Sequence, residues 1–282
     1  MKNFFFLYGV FLFVVPPIPV LSQGNDKTIP LLISEHHADH MEYFFRCGVG
    51  TSAAMILLDA HADTGYNKNS KLIRASVSSG DLSNIGSLAG NHNWIHPLAP
   101  SPLGSLIWVN TIAKSSSDSN QNNSANSTLI WGKDAIGTVA ISLKDLSSLE
   151  ISSATLFISI DLDFFYSENI SENDIPEVFG TLFSISSQWL ESGSVVWAIC
   201  LSRPWLPDVS YAWLLLEKAL FWLCSRSEFH DIEIIDLFDS NRIDTSNLAR
   251  AYSVKGMKMP VLHEADTPES IKELIRELLE RN

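Results

Sequence analysis

Apolar runs that favour β-strands alternate along this chain with segments whose apolar residues recur at helical spacing. The predicted strands are residues 29–34, 54–59, 105–110, 155–161, 194–201 and 232–237. Strands that are almost continuously apolar are typical of a parallel sheet buried on both faces. The pattern therefore predicts an α/β fold with a mostly parallel central sheet covered by helices on both sides.

Helical spacing is clearest in residues 176–190 and 209–224 and near the C-terminus. For the last helix we expect Thr267 as the N-cap and Pro268 at the first helical position. Residues 115–127 are almost entirely Ser, Asn, Asp and Gln, which predicts a low-complexity surface loop. No repeat interrupts the pattern, so residues 23–282 are predicted to form a single domain.

The first residues have the features of a secretory signal peptide. Lys2 precedes an apolar run over residues 4–15, and Val20 and Ser22 are placed like the small residues before a cleavage site. A retained membrane anchor is the alternative, but the run is shorter than the roughly 20 apolar residues that a spanning helix needs. We therefore expect residues 1–22 to be removed and the protein to be exported, to a secreted, periplasmic or ER-lumenal location.

Composition limits the classes of partner. The 282 residues carry a formal net charge of −13, which argues against nucleic acid as a partner. A cluster of carboxylates around a metal ion would account for part of this acidity, and simple solubility is the other explanation. Three cysteines are too few for a disulfide framework, although they allow one disulfide in an oxidising compartment.

Two motifs place acidic side chains at the ends of apolar strands. Asp59, His61 and Asp63 follow one strand, and Asp161 and Asp163 close another. In parallel α/β sheets the ligand crevice lies beyond the carboxyl ends of the strands, so these groups are expected to converge there. The acids would repel one another unless a cation or protons compensated them. Oxygen ligands with imidazole suit Mn²⁺, Fe²⁺ or Zn²⁺, whereas separate helix caps are the alternative.

The same motifs resemble those of a known superfamily. Asp-Ala-His-Ala-Asp at 59–63 and Ser-Ile-Asp-Leu-Asp at 159–163 are similar to the two signatures of the arginase and histone deacetylase (ureohydrolase-like) superfamily. Residues 34–37, 90–97 and 104–109 look most like an uncharacterised arginase-like branch of it. The resemblance implies a three-layer α/β/α sandwich with a binuclear metal centre, two Mn²⁺ being favoured, that activates water to attack a small-molecule substrate.

The resemblance also implies the ligands. Asp59 and Asp161 would bridge two ions. Asp63 and a histidine of the first motif would complete one site, and His61 and Asp163 would complete the other.

Ser-Glu-His-His at 34–37 replaces the Gly-Gly-Asp-His of arginases. We favour His37 over His36 as the ligand, because the branch shows Glu-x-His here. Alternatively, both histidines cap or pack at the start of the next helix.

Three further residues are candidate substrate contacts. His92 and Trp94 lie in a Gly/Asn-rich loop and are expected at the mouth of the site, or packed in the loop or core. Arg203 follows an apolar strand, where it would meet an anionic substrate group or form an ion pair with the protein.

Together these features predict a metal-dependent hydrolase that uses metal-activated water to cleave a non-peptide C–N bond, by deacylation or a ureohydrolase-like reaction. After Asp163 the chain continues with Tyr166-Ser167 where arginases have Asp-Pro, which argues against a specificity for amidino substrates alone. The expected substrates are therefore linear amides or amidines. The alternative is a non-catalytic, metal-stabilised binding protein of the same fold.

Export can be tested on the full chain expressed in a secreting host. We expect the exported protein to begin after about Ser22, because peptidases cut beyond such small residues. N-terminal sequencing of the purified protein checks this. Recovery of the intact apolar run would contradict it.

Overall fold

The computed structural model describes residues 28–48, 52–82, 85–110, 126–129, 136–235, 237 and 267–280. The predicted signal peptide, 1–22, lies outside these ranges. So does most of the predicted polar loop, except that Asn126 and Ser127 begin a strand rather than continue the loop.

An eight-stranded sheet forms the centre of the described chain, in the order β4-β5-β3-β2-β6-β7-β1-β8. Seven strands run parallel, and β4 pairs antiparallel with β5 at one edge. The strands are β1 Ile29–Ser34, β2 Ala53–Leu58, β3 Leu103–Val109, β4 Asn126–Leu129, β5 Ile136–Ile141, β6 Thr155–Asp161, β7 Val195–Cys200 and β8 Phe229–Ile235.

Helices cover both faces of the sheet. The α-helices are α1 Asp39–Gly48, α2 Ser70–Ser78, α3 Ile95–Leu98, α4 Leu143–Leu146, α5 Asp163–Ser167, α6 Ile175–Leu190, α7 Val209–Cys224 and α8 Glu269–Leu279, with 3₁₀ turns at Gly86–Leu88, Glu172–Asp174 and Arg203–Trp205. This confirms the α/β fold with a mostly parallel sheet and is consistent with a three-layer α/β/α sandwich.

Two cores result from the alternation of side chains along each strand. In β6, Ile158 and Ile160 pack with α6 and α7, whereas Phe157 packs on the opposite face with α1. Phe157 stacks on Phe44 of α1, with ring centroids 4.4 Å apart. Because both faces are apolar, the strands read as continuous hydrophobic runs in the sequence.

Several local predictions are wrong. The apolar pattern of the sequence predicts no strand at β4 or β5. Helix α8 begins at Glu269 with Pro268 at the N-cap position, so neither Thr267 nor Pro268 takes its expected place. Proline fits the first helical position through its fixed φ, but the ψ of Pro268 is 142°, which is extended and not helical.

The sheet topology decides where polar groups meet. Strand β6 lies between β2 and β7, and β1 is the next strand beyond β7. All four run parallel, so their carboxyl ends share one edge. In the described parts of the chain, no helix combines the length and the apolar character needed to cross a bilayer.

Core packing gives a stability prediction. Ile158 is fully buried in the central strand β6, so Ile158→Ala should lower the free energy of unfolding by about 2–5 kcal/mol and Ile158→Val by about 0.5–1.5 kcal/mol. Urea unfolding measures both. Leu72→Ala, at a side chain 55% exposed, is the control and should change it by less than about 0.5 kcal/mol. Equal losses of unfolding free energy in Ile158→Ala and Leu72→Ala would contradict the placement of Ile158 in the core.

Candidate metal centre

The two acidic motifs meet because their strands are neighbours. Asp59 directly follows β2, and Asp161 is the last residue of β6. One oxygen of each carboxylate is held locally: Oδ1 of Asp59 accepts from the backbone N–H of His61 at 2.8 Å, and Oδ1 of Asp161 accepts from that of Asp163 at 3.1 Å. These bonds to the residue two positions on leave Oδ2 of each acid to face the crevice.

His37 brings an imidazole to these oxygens from the loop between β1 and α1. Its Nδ1 lies 3.0 Å from Oδ2 of Asp59, 2.9 Å from Oδ2 of Asp63 and 3.4 Å from Oδ2 of Asp161. All four residues are at least nine-tenths buried. A nitrogen facing three carboxylate oxygens at once is the donor set expected around one cation.

A second group shares Asp59. Donor atoms of Asp59, His61 and Asp163 lie within 4.8 Å of one another, as do those of His37, Asp59 and Asp63. The His61 side chain is 57% exposed, whereas Asp163 is buried. The second group therefore opens to solvent, and the first is enclosed. Both groups can hold a divalent metal ion.

Neighbouring side chains fix the orientation of the acids. Trp94 donates its indole N–H to Oδ2 of Asp63 at 2.7 Å, and Ser202 donates its hydroxyl to Oδ2 of Asp161 at 2.6 Å. Asp63 and Ser202 both have left-handed backbones, with φ of 49° and 48°. Such conformations cost free energy in residues other than glycine and are often found at functional sites.

Charge compensation is the main electrostatic feature of the cluster. Burial, together with the neighbouring carboxylates, raises the pKa of Asp59, Asp161 and Asp163 well above the ordinary value. Burial opposes protonation of His37, but its contacts with Asp59 and Asp63 outweigh this and raise its pKa. The folded protein therefore favours protons here, or a cation in their place.

The predicted ligands are thus brought together, with His37 rather than His36 among them. The acids share one cluster rather than lying apart as separate helix caps, although Oδ1 of Asp161 also accepts from the first backbone N–H of α5. Sequence reasoning missed Ser202 as a support of Asp161. Ser159 and His40, which lie behind His37, were also missed, although Ser159 is two residues before Asp161 and so shares its side of the strand.

The substrate-contact candidates lie in three different environments. His92 is exposed and its ring lies beside the Asn93 amide. Trp94 is fully buried against Asp63 and His37. Arg203 is 5% exposed, so its environment is that of the ion-paired alternative.

Arg203 forms a buried ion pair beside the cluster. Its Nε donates to Oε2 of Glu35 at 2.8 Å, and Glu35 is fully buried. Burial raises the pKa of Glu35 to about 7, although Arg203 opposes the shift. The guanidinium also lies over the Trp213 ring, 5.1 Å from its centroid. This pair joins the loop after β7 to the loop after β1.

Comparison with models of protein families, with curated proteins and with solved structures finds no match to this chain.

The ion pair predicts a pH-dependent loss of stability. Arg203→Met leaves Glu35 buried without its partner and should cost about 3–5 kcal/mol at pH 8. The folded-state pKa of Glu35 is above its unfolded value, so the folded state binds the extra proton and stability falls as pH rises from about 4.5 through the folded pKa. The loss of unfolding free energy caused by Arg203→Met should therefore be smaller at pH 5.5 than at pH 8.

Urea unfolding of metal-free protein at the two pH values measures this deficit. Lys272→Met removes an exposed pair with Glu269 and is the control, expected to cost less than about 1 kcal/mol. A variant of Arg203 with parental stability at both pH values would contradict the structural role.

Proposed function

We propose that this chain is a metal-dependent hydrolase that cleaves a non-peptide C–N bond in a linear amide or amidine. We also propose that it is an exported member of the arginase and histone deacetylase superfamily, within the arginase-like branch. The observation that carries the proposal is the convergence of His37 Nδ1 with one oxygen each of Asp59, Asp63 and Asp161.

Charge supports a metal ion in this cluster. Among the described residues, the basic groups that contact these acids are imidazoles, and the nearby guanidinium of Arg203 is committed to Glu35. Buried carboxylates without a cation would have to be protonated or would repel one another. Carboxylate oxygens with imidazole nitrogen suit Mn²⁺, Zn²⁺ or Fe²⁺, and two Mn²⁺ are the pair we propose.

Access to solvent supports catalysis in addition to binding. His61 and Asp59 belong to the same group of donors, yet the His61 side chain is 57% exposed. A substrate and a water molecule can therefore approach this side of the cluster. When bound, divalent ions lower the pKa of water and polarise the bond under attack. The protein's contribution is to hold the acids in fixed orientation and to exclude water from the enclosed side.

Asp161→Asn tests the central assignment. The amide is a poorer donor to a hard cation than a carboxylate, and Asp161 contributes to the enclosed group from a central strand. We expect metal affinity to fall more than about 100-fold, since substitutions outside the ligand shell alone cost about 10–100-fold. Hydrolysis should disappear while the thermal midpoint of the metal-free protein stays close to that of the parent, because one repelling charge is removed.

The measurement is bound metal per chain after dialysis against Mn²⁺, Zn²⁺ or Fe²⁺, with turnover on a panel of linear amides and amidines. Asp174→Asn, at an exposed acid that makes no cap hydrogen bond, is the control. A mutant that keeps its full complement of metal would overturn the assignment of Asp161. A parent that binds metal but turns over no member of the panel would favour the binding-protein alternative.

A further inference from the structure

Behind the metal-facing side of His37, a hydroxyl joins two buried imidazoles. Ser159 Oγ lies 2.9 Å from Nε2 of His37 and 2.9 Å from Nδ1 of His40. All three side chains are fully buried. His40 is in the first turn of α1, and Ser159 is two residues before Asp161 on the same side of β6.

The direction of these hydrogen bonds follows from counting protons. Nδ1 of His37 must present a lone pair to hold a cation, so its ring proton is on Nε2 and is donated to Ser159 Oγ. The hydroxyl of Ser159 has a single proton, which it can donate to His40 Nδ1. His40 is then a neutral acceptor whose proton is on Nε2.

We propose that Ser159 and His40 are positioning residues that fix the tautomer and the ring orientation of His37, so that its Nδ1 is presented to the metal. The inference rests on the proposed metal function and extends it to two residues that do not touch the ion. Ligating histidines are ordinarily held by a hydrogen bond on the second ring nitrogen. Here that bond is made to a serine whose own proton is directed by a second histidine.

The surroundings of His40 argue against simple packing as its role. Its ring lies among aromatic rings, with centroids 5.9 Å from Phe44 and 5.7 Å from Trp94, and is nearly perpendicular to His37 at 86°. An apolar ring would fill such a site without the cost of burying a polar group. An imidazole adds a hydrogen bond to Ser159 there, besides its hydrogen bond with the backbone of Ile199.

Three variants distinguish the effect of the hydrogen-bond acceptor on His40 from the effect of its ring packing. His40→Phe keeps a ring but removes the acceptor, and Ser159→Ala removes the link. His40→Asn places an amide oxygen near the former Nδ1. We expect the first two to weaken Mn²⁺ binding by about 10–100-fold and the third to retain most of the parental affinity. Affinity is measured by competition with a fluorescent chelator.

Two further measurements test the hydrogen-bonded chain from His37 through Ser159 to His40. The double variant His40→Phe with Ser159→Ala should lose little more affinity than either single variant, because both break the same chain. In histidine labelled with ¹⁵N, His40 of the metal-loaded parent should show the signals of the neutral tautomer protonated on Nε2. Thermal midpoints of the metal-free variants control for misfolding.

The outcomes distinguish this inference from the proposed function. A parent that binds Mn²⁺, with His40→Phe binding it equally well, would overturn the positioning chain and leave the metal site standing. Equal losses in His40→Phe and His40→Asn, or a His40 protonated on Nδ1, would also overturn it. A parent that binds none of the ions tested would overturn both proposals.

Discussion

Repulsion between buried carboxylates is the constraint on which the arrangement of this site depends. Asp59 directly follows β2 and Asp161 ends the adjacent parallel strand β6, so the sheet brings their charges together in a buried crevice. Burial alone raises the pKa of each acid, and every further acid raises it more. The fold can tolerate this cluster only if protons or a cation balance it, and the imidazole of His37 balances just part of it. The acids, the histidines and the polar groups behind them therefore form a single arrangement that could hold divalent cations.

The sequence was sufficient to predict the fold class and most of the buried cluster of acids and histidines, for a physical reason. A strand buried on both faces must be apolar throughout, so an acid at its end is conspicuous, and parallel strands deliver such acids to the same edge. Asp59 and Asp161 therefore stood out without any knowledge of strand order. Their contact nevertheless required β6 to insert beside β2, and long-range order of that kind leaves no trace in local periodicity. The edge strand β4 and its neighbour β5 were missed because their residues lack the continuous apolar pattern of the central strands.

The supporting residues were harder to predict because their side chains carry no distinctive signal. Ser202 matters through a left-handed backbone that aims its hydroxyl at Asp161, and neither property can be read from a serine in a sequence. For Trp94 the sequence leaves two places open, the mouth of the site and packing in the loop or core, and the structure shows its indole buried with its N–H on Asp63. An amphipathic ring of this kind suits either place, and only the packing of the loop decides between them.

The ion pair between Glu35 and Arg203 shows how the loops around the cluster are kept in register. Glu35 is two residues before His37, and Arg203 directly follows Ser202, so the pair links the histidine's loop to the serine's loop. The backbone adds to this link, since the carbonyl of Glu35 accepts from the N–H of Ser202 at 3.3 Å. A shift of either loop would break a buried ion pair and leave a charge without its partner, which is costly. Arg203 itself is 5% exposed and donates to Glu35 and to the backbone carbonyl of Leu237, so it is turned away from solvent. In the proposed hydrolase, a substrate would therefore approach from the solvent-exposed side of the cluster around His61, where the donor atoms are accessible.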